Sequence, residues 1–244
     1  MQPTVDSFRA LARSSPWRWR TLHFTRRGDL GEVEAWVRRP GELLVRPSSG
    51  AEQYSSGAPY TVTRAAVVST PEGHVAVDAW EGVDPDPQPT FRPDGLVDRR
   101  PEDYHLEHGD PMWHNYTWTA MLDPDELSHH VDIAELRSDE LRGRETWWAR
   151  LRALEGYEPR CGCCPLLWSE IAASAEYGDE PVRLARFRAE GFPVAHDVAL
   201  DARTGVVVSL EPVGDAHADR GFTVEIHEVD TDLDAVFAGR GPTR

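Results

Sequence analysis

The chain has 244 residues and a net charge of −16, with 42 acids against 26 bases, every base an arginine. A β-rich chain of this length suits a single domain and buries about 70–75% of its unfolded surface, so neither a disulfide nor a metal is needed to hold the fold. The acidic balance argues against a nucleic-acid or anionic-membrane partner, because phosphate binding draws on basic surface.

Met1 to Arg13 carries no apolar run of signal-peptide length, and no stretch of about eighteen apolar residues occurs anywhere. Three cysteines packed into four positions do not make a secreted disulfide framework. The expectation is a cytoplasmic protein with no membrane span. The arginine-only basic set, with abundant Ala, Gly, Pro and Asp, reflects a GC-rich coding sequence.

Asp6 to Arg13 is a helix candidate with Phe8, Leu11 and Ala12 on one face, ended by Ser14-Ser15-Pro16. Trp17 to Phe24 alternates, with Trp17, Trp19, Thr21 and His23 on one parity, and predicts a strand. Val33 to Arg38 and Leu43 to Arg46 follow as two more strands, the second reached through Arg39-Pro40-Gly41-Glu42, where proline fixes one dihedral and glycine frees the next. Thr61 to Val68 and His74 to Trp80 predict a further pair. Residues 82–110 form an irregular, Pro/Asp-rich insertion; Pro85, Pro87, Pro89, Pro93 and Pro101 oppose regular strand pairing there. Phe91, Leu96, Val97 and Tyr104 are its four apolar anchors, and a segment so placed predicts a lid across the sheet.

Met112 to Leu122 alternates and predicts a strand, and Asp123-Pro124-Asp125-Glu126-Leu127 predicts a helix start with Asp123 as cap and Pro124 at the first helical position. Val131 to Leu136, Gly143 to Leu151, Pro193 to Leu200, Val206 to Leu210 and Phe222 to His227 are strands; Pro165 to Ala175 is an amphipathic helix, and Pro181 to Arg188 reads equally as strand or helix. Many antiparallel strands with helices inserted at a few points argue an α+β fold.

Four stretches in order carry a resemblance: Trp17–Phe24 with Val33–Val45; Leu122-Asp123-Pro124 with Glu126-Leu127 and Gly143–Thr146; Val198–Val207; and Ile226–Asp230 with Leu233–Phe237. Together they resemble the lipoprotein-carrier superfamily of LolA-like carriers, RseB-type sensors and mycobacterial lipid-binding lipoproteins. The resemblance implies residues 1–244 as one domain: a single antiparallel, strongly curved half-barrel sheet whose concave side is covered by a few helices. It also implies non-enzymatic binding of a hydrophobic ligand or protein segment in the concave face. The ligand-binding residues would be the inward aromatics and aliphatics, Trp17, Trp19, Trp36, Met112, Tyr116, Trp118 and Trp147. The plainer account of the same indoles, with Trp113 and Trp148, is core packing. Family members are exported and carry no counterpart of the cysteine cluster.

That cluster, Cys161-Gly162-Cys163-Cys164, holds all the cysteines of the chain. It supports an alternative function as a metal-binding or thiol-redox protein. As zinc ligands the three thiolates need a fourth partner, for which His129 or His130 is the candidate. As a redox site, the C-x-x-C pair would sit ahead of a helix starting at Pro165, whose positive end lowers a thiol pKa. As packed thiols they need no partner at all. His105-Leu106-Glu107-His108 and His129-His130 with Asp132 are further metal candidates, although solvated loop residues explain them as well. No phosphate-binding glycine loop, dinucleotide fingerprint or G-x-S-x-G elbow is present. The default is therefore no cofactor, with zinc as the alternative.

Overall fold

The computed structural model describes residues 2–56, 65–70, 73–78, 87–102, 104, 110–214 and 216–240. Helix α1 (Val5–Ser14) begins at a Thr4 capping box, in which Thr4 and Ser7 each bond the other's backbone N–H. Its Phe8, Ala10, Leu11 and Ala12 are fully buried. A 3-10 turn, Ser15–Trp17, leads into β1 (Thr21–Gly28), β2 (Gly31–Arg38), β3 (Glu42–Pro47) and β4 (Gln53–Ser56). Then come β5 (Ala65–Thr70), β6 (Gly73–Asp78), β7 (Thr90–Phe91) and β8 (Val97–Arg99). Helix α2 (Tyr116–Leu122) and a 3-10 turn at Asp125–Leu127 precede the long hairpin of β9 (Val131–Leu141) and β10 (Arg144–Ala153). Helices α3 (Glu170–Tyr177) and α4 (Pro181–Glu190) follow. Strands β11 (Ala195–Asp201), β12 (Val207–Val213) and β13 (Phe222–Val229) and the short α5 (Asp234–Phe237) complete the described chain.

The fold is α+β. Nine strands form one antiparallel sheet in the order β4-β3-β2-β1-β13-β12-β11-β10-β9, with β5-β6 and β7-β8 as separate two-stranded pieces. Each neighbouring pair but one is consecutive in sequence; β1 against β13 alone joins the N-terminal and C-terminal meanders. The sheet stays open between its edge strands β4 and β9, as in half of a barrel. Register shifts at His23/Phe24, Trp148/Arg150 and Ala199/Leu200 bend its strands locally.

One face carries the main core. Leu22 and Phe24 of β1, Val33, Ala35 and Val37 of β2, and Leu43 and Val45 of β3 are buried there with Phe8 and Leu11 of α1. Each such side chain contributes about 1.5–3 kcal/mol, so the sheet and α1 hold each other in place. The opposite face is a lattice of arginine–carboxylate pairs across strands, among them Arg27–Glu32, Arg46–Glu34 and Arg38–Glu42. On that face Trp36 and Leu44 pack under Leu233 and Phe237.

Gly205 shows why the β11–β12 turn is written as it is. It adopts φ +77°, and a Cβ there would stand 2.8 Å from the Leu11 carbonyl oxygen. Asp201 organises the turn, accepting from Thr204 N–H and hydroxyl at 2.7 Å each while pairing with Arg144.

Several expectations are corrected. The strand expected from Trp17 starts at Thr21 instead, because Pro16 sits in the first turn of a 3-10 segment. The buried parity of β1 is accordingly Leu22 and Phe24, whereas His23 stacks on Trp36 on the other face. Met112 to Leu122 is not a strand: Asn115 accepts from Thr117 N–H at 3.1 Å and caps α2. The expected helix at Pro165 starts only at Glu170, behind a Ser169 cap. Pro181 to Glu190 is a helix.

In the 82–110 insertion, Thr90–Phe91 pairs with Val97–Arg99 despite the prolines. Leu96 and Val97 are buried as anchors, but Phe91 is exposed. Val97 bonds both Ser14 and Arg13 of α1. Asp84, His105, Leu106, Glu107, His108 and Gly109 lie outside the described residues, as does Trp80.

Candidate functional site: a clamped cysteine loop

The site begins with a buried carboxylate. Glu126, on the 3-10 turn after α2, is 7% exposed and accepts three hydrogen bonds. Its Oε1 takes the Tyr157 hydroxyl at 2.6 Å and Leu166 N–H at 2.8 Å; its Oε2 takes Arg160 N–H at 3.0 Å. Arg160 and Leu166 flank the cysteines, so a single carboxylate closes the loop from both ends. Burial raises the Glu126 pKa, against the lowering effect of those three donors.

Asp123, one turn earlier, is also buried and pairs with Arg100 and, at 2.6 Å, with Arg160. Burial pushes its pKa up, but the two guanidinium charges outweigh that and hold it at about 2. Glu126 and Asp123 therefore fix the Arg160 end of the loop through its backbone and its side chain. Inside the loop, Cys164 N–H bonds the Cys161 carbonyl at 3.2 Å, and Thr117 of α2 donates to the Cys164 carbonyl at 2.9 Å.

The result is three convergent thiols. Cys161 Sγ lies 2.9 Å from Cys163 Sγ, which lies 3.7 Å from Cys164 Sγ, and all three sulfurs fall within 4.8 Å of one another. Cys161 and Cys164 are half-buried and Cys163 is exposed. A zinc ion about 2.3 Å from each sulfur at tetrahedral angles needs sulfurs about 3.8 Å apart. The Cys163–Cys164 spacing is close to that value, and Cys161 and Cys163 would have to move apart to share the ion. Hydrogen bonding to Cys161, then burial and Cys164, raises the Cys163 pKa. At Cys161 burial also pulls upward, but hydrogen bonds from the Cys163 and Cys164 thiols and backbone outweigh it and lower the value.

Gly162 is required by its surroundings. A Cβ there would collide with the Glu176 carboxylate and come 2.8 Å from the Glu176 Cβ. Glu176 of α3 therefore lies directly over the peptide between Cys161 and Cys163.

His129 and His130 do not join the thiols. They line a cavity of about 620 Å³ on the other side of the Glu126 clamp, with Arg100, Tyr104, Glu158 and Arg160. Among the described residues only the three cysteines form a group able to hold a metal. Asp132 is drawn off toward Arg152 at 3.6 Å. The helix-end effect expected at the C-x-x-C pair is absent too, since α3 begins past Ser169 rather than at Pro165. A second cavity, about 280 Å³, opens beside Cys163 and Cys164; Asp29, Asn115, Asp219 and Arg220 form much of its remaining wall.

The seven aromatic and aliphatic positions expected to line a concave face are dispersed. Trp19, Trp118 and Trp147 are buried in the main core, and Trp36 is buried on the opposite face of the sheet. Trp19 is capped by the Arg39 guanidinium at 3.3 Å, and Arg39 also pairs with buried Asp110. Trp17 is half-buried and donates to the Pro87 carbonyl. Met112 and Tyr116 are exposed, at 48% and 40%. Trp148 is partly buried against the main core and also contacts Arg137.

No family model and no curated protein matches the chain. Among solved structures, LprF from Mycobacterium bovis is similar over 95% of this chain and 96% of its own, at 12% identity and a TM-score of 0.34. A likeness at that level leaves the ligand to be argued from the residues of this chain. No helix among the described residues is long and apolar enough to cross a membrane.

Sequence reasoning missed Glu126, Asp123, Thr117 and Arg220 as parts of this region. The sequence signal at the first two is the helix-start pattern Asp123-Pro124-Asp125-Glu126, which carries no sign of their contacts with Arg160 and Leu166.

Proposed function

We propose that this chain is a binding protein that takes one thiophilic metal ion, zinc or copper(I), on Cys161, Cys163 and Cys164. The observation that carries the reading is the convergence of three sulfurs within 4.8 Å on a loop that Glu126 closes at both ends. Clamping matters energetically because an already folded loop binds without repaying the ordering cost of its backbone. Thiolate ligands select zinc and copper(I) over harder cations such as magnesium or calcium. Three protein ligands leave a tetrahedral ion one position short, while a trigonal ion is complete.

Thiol titration of the reduced, chelator-treated protein tests this. One equivalent of Zn2+ should protect all three thiols from an alkylating reagent, and chelator should restore their reactivity. Three thiols that react equally fast with and without Zn2+ would reduce the cluster to packing.

A second reading, an apolar ligand or protein segment on the concave side, draws on exposed Met112 and Tyr116 next to buried Trp113 and Trp118. Native mass spectrometry of the purified protein separates the two. A bound lipid-sized mass supports the second reading, and a single metal mass supports the first.

A further inference from the structure

The 280 Å³ cavity beside Cys163 and Cys164 contains a cation with no ion-pair partner among the described residues. The Arg220 guanidinium is stacked on the Trp168 ring at 4.2 Å, and among the described residues it makes no ion pair and no side-chain hydrogen bond. In a chain whose arginines mostly pair with carboxylates or backbone carbonyls, that is unusual. The nearby acids do not neutralise it by contact. Asp29 is taken by buried Arg26 at 2.6 Å, and Asp219 is exposed on the same 3-10 turn as Arg220. The other charged or titratable groups that act on Arg220 are Tyr177 and Cys164; buried His196 feels its charge in turn, as does Glu190, which is taken by Arg186 at 2.7 Å. Arginine stays charged in such surroundings and presents a planar fork suited to a carboxylate.

The cavity therefore offers two features side by side: thiols that hold a metal with a vacant fourth position, and a free guanidinium. We infer that it binds a small thiol bearing a carboxylate, whose sulfur completes the metal coordination and whose carboxylate pairs with Arg220. This rests on the metal-binding reading above. On binding, the ligand's S–H proton passes to water as the sulfur–metal bond forms, and no group is oxidised or reduced. The volume, just under the ~300 Å³ at which drug-sized sites begin, suits a molecule of that kind and excludes a long acyl chain.

The test uses the full-length reduced protein loaded with Co2+, whose thiolate charge-transfer band reports the number of sulfur ligands. Mercaptoacetate should intensify the band and bind about tenfold tighter than 2-mercaptoethanol, the advantage of a charge-assisted pair with a half-buried arginine. Acetate alone should leave the band unchanged. Arg220→Gln should abolish the preference while leaving Co2+ affinity, 2-mercaptoethanol affinity and thermal unfolding as in the parent; Arg220→Lys should keep part of it. Equal affinity for the two thiols, or a preference that survives Arg220→Gln, would overturn the inference. So would a Co2+ spectrum altered by Asp219→Asn in the absence of thiol, because Asp219 would then already fill the fourth position. No thiolate band with Co2+ defeats the metal reading and this one with it. A band insensitive to mercaptoacetate defeats this one alone.

Discussion

Replacing Glu126 tests the clamp that makes the cysteine loop a site. In Glu126→Gln, the amide oxygen can keep Tyr157 hydroxyl and Leu166 N–H, which now bond Oε1 at 2.6 and 2.8 Å. The amide nitrogen must then face Arg160 N–H, a donor against a donor. One buried N–H without an acceptor costs about 1–3 kcal/mol. Removing a buried carboxylate returns part of its desolvation cost, which places the net loss toward the lower end, about 1 kcal/mol. Glu126→Ala leaves two backbone donors and a phenol unpaired and should cost about 3–5 kcal/mol. Urea unfolding followed by tryptophan fluorescence measures both, and Zn2+ affinity should fall in the same order as the ends of the loop separate.

The pH dependence has a definite sign. Burial raises the Glu126 pKa, so its contribution to stability is fully present below the ordinary glutamate value and is lost as pH rises through the raised folded value. Glu126→Gln should be flat over that window. A Glu126→Ala variant within about 0.5 kcal/mol of the parent, the scale of an ordinary surface change, would refute the clamp.

Asp123→Asn should cost about 3–5 kcal/mol in the same urea assay, because it leaves buried Arg160 without its anion and Arg100 with Asp125 alone. In the parent, the Asp123 contribution is present above its ordinary value of 3.8 and disappears as pH falls toward 2. His196, 2% exposed, is held near 4 by burial and secondarily by Arg220, so it should cost the fold about 3 kcal/mol as pH drops from 6.5 to 4. His196→Gln should flatten that limb of the acid-unfolding curve. Gly162→Ala should weaken Zn2+ binding by pushing against Glu176, and Glu176→Gly in the same chain, which also removes the Cβ that stands 2.8 Å away, should restore much of it; independent effects in the double variant would count against that contact.

The sheet was legible wherever one side of a strand is buried and the other wet. Val33, Ala35 and Val37 alternate with Glu32, Glu34 and Arg38, and this two-residue period survives into β2 with its register intact. Alternation misled where bulky residues cluster without being a strand. Tyr116, Trp118, Ala120 and Leu122 share a parity, yet Trp118, Met121 and Leu122 also stand at helical spacing, and the Asn115 cap decides between the two. Trp17 and Trp19 misled for a similar reason, since Pro16 starts a tight turn just before them.

The three cysteines were visible as neighbours because adjacency in sequence guarantees it. Their clamp was not. Glu126 reaches Leu166 across 40 positions, and nothing local to either residue announces that contact. Arg220 was hidden in the same way, since what marks it is the lack of an ion-pair partner among the described residues.

X-ray absorption at the metal edge of the zinc-loaded protein tests the central claim most directly. The account predicts three sulfur neighbours per zinc at about 2.3 Å, with a single lighter atom completing the shell, and their loss when Cys161, Cys163 and Cys164 are all replaced by serine. A shell of oxygen and nitrogen alone, or one unchanged by the triple replacement, would contradict it.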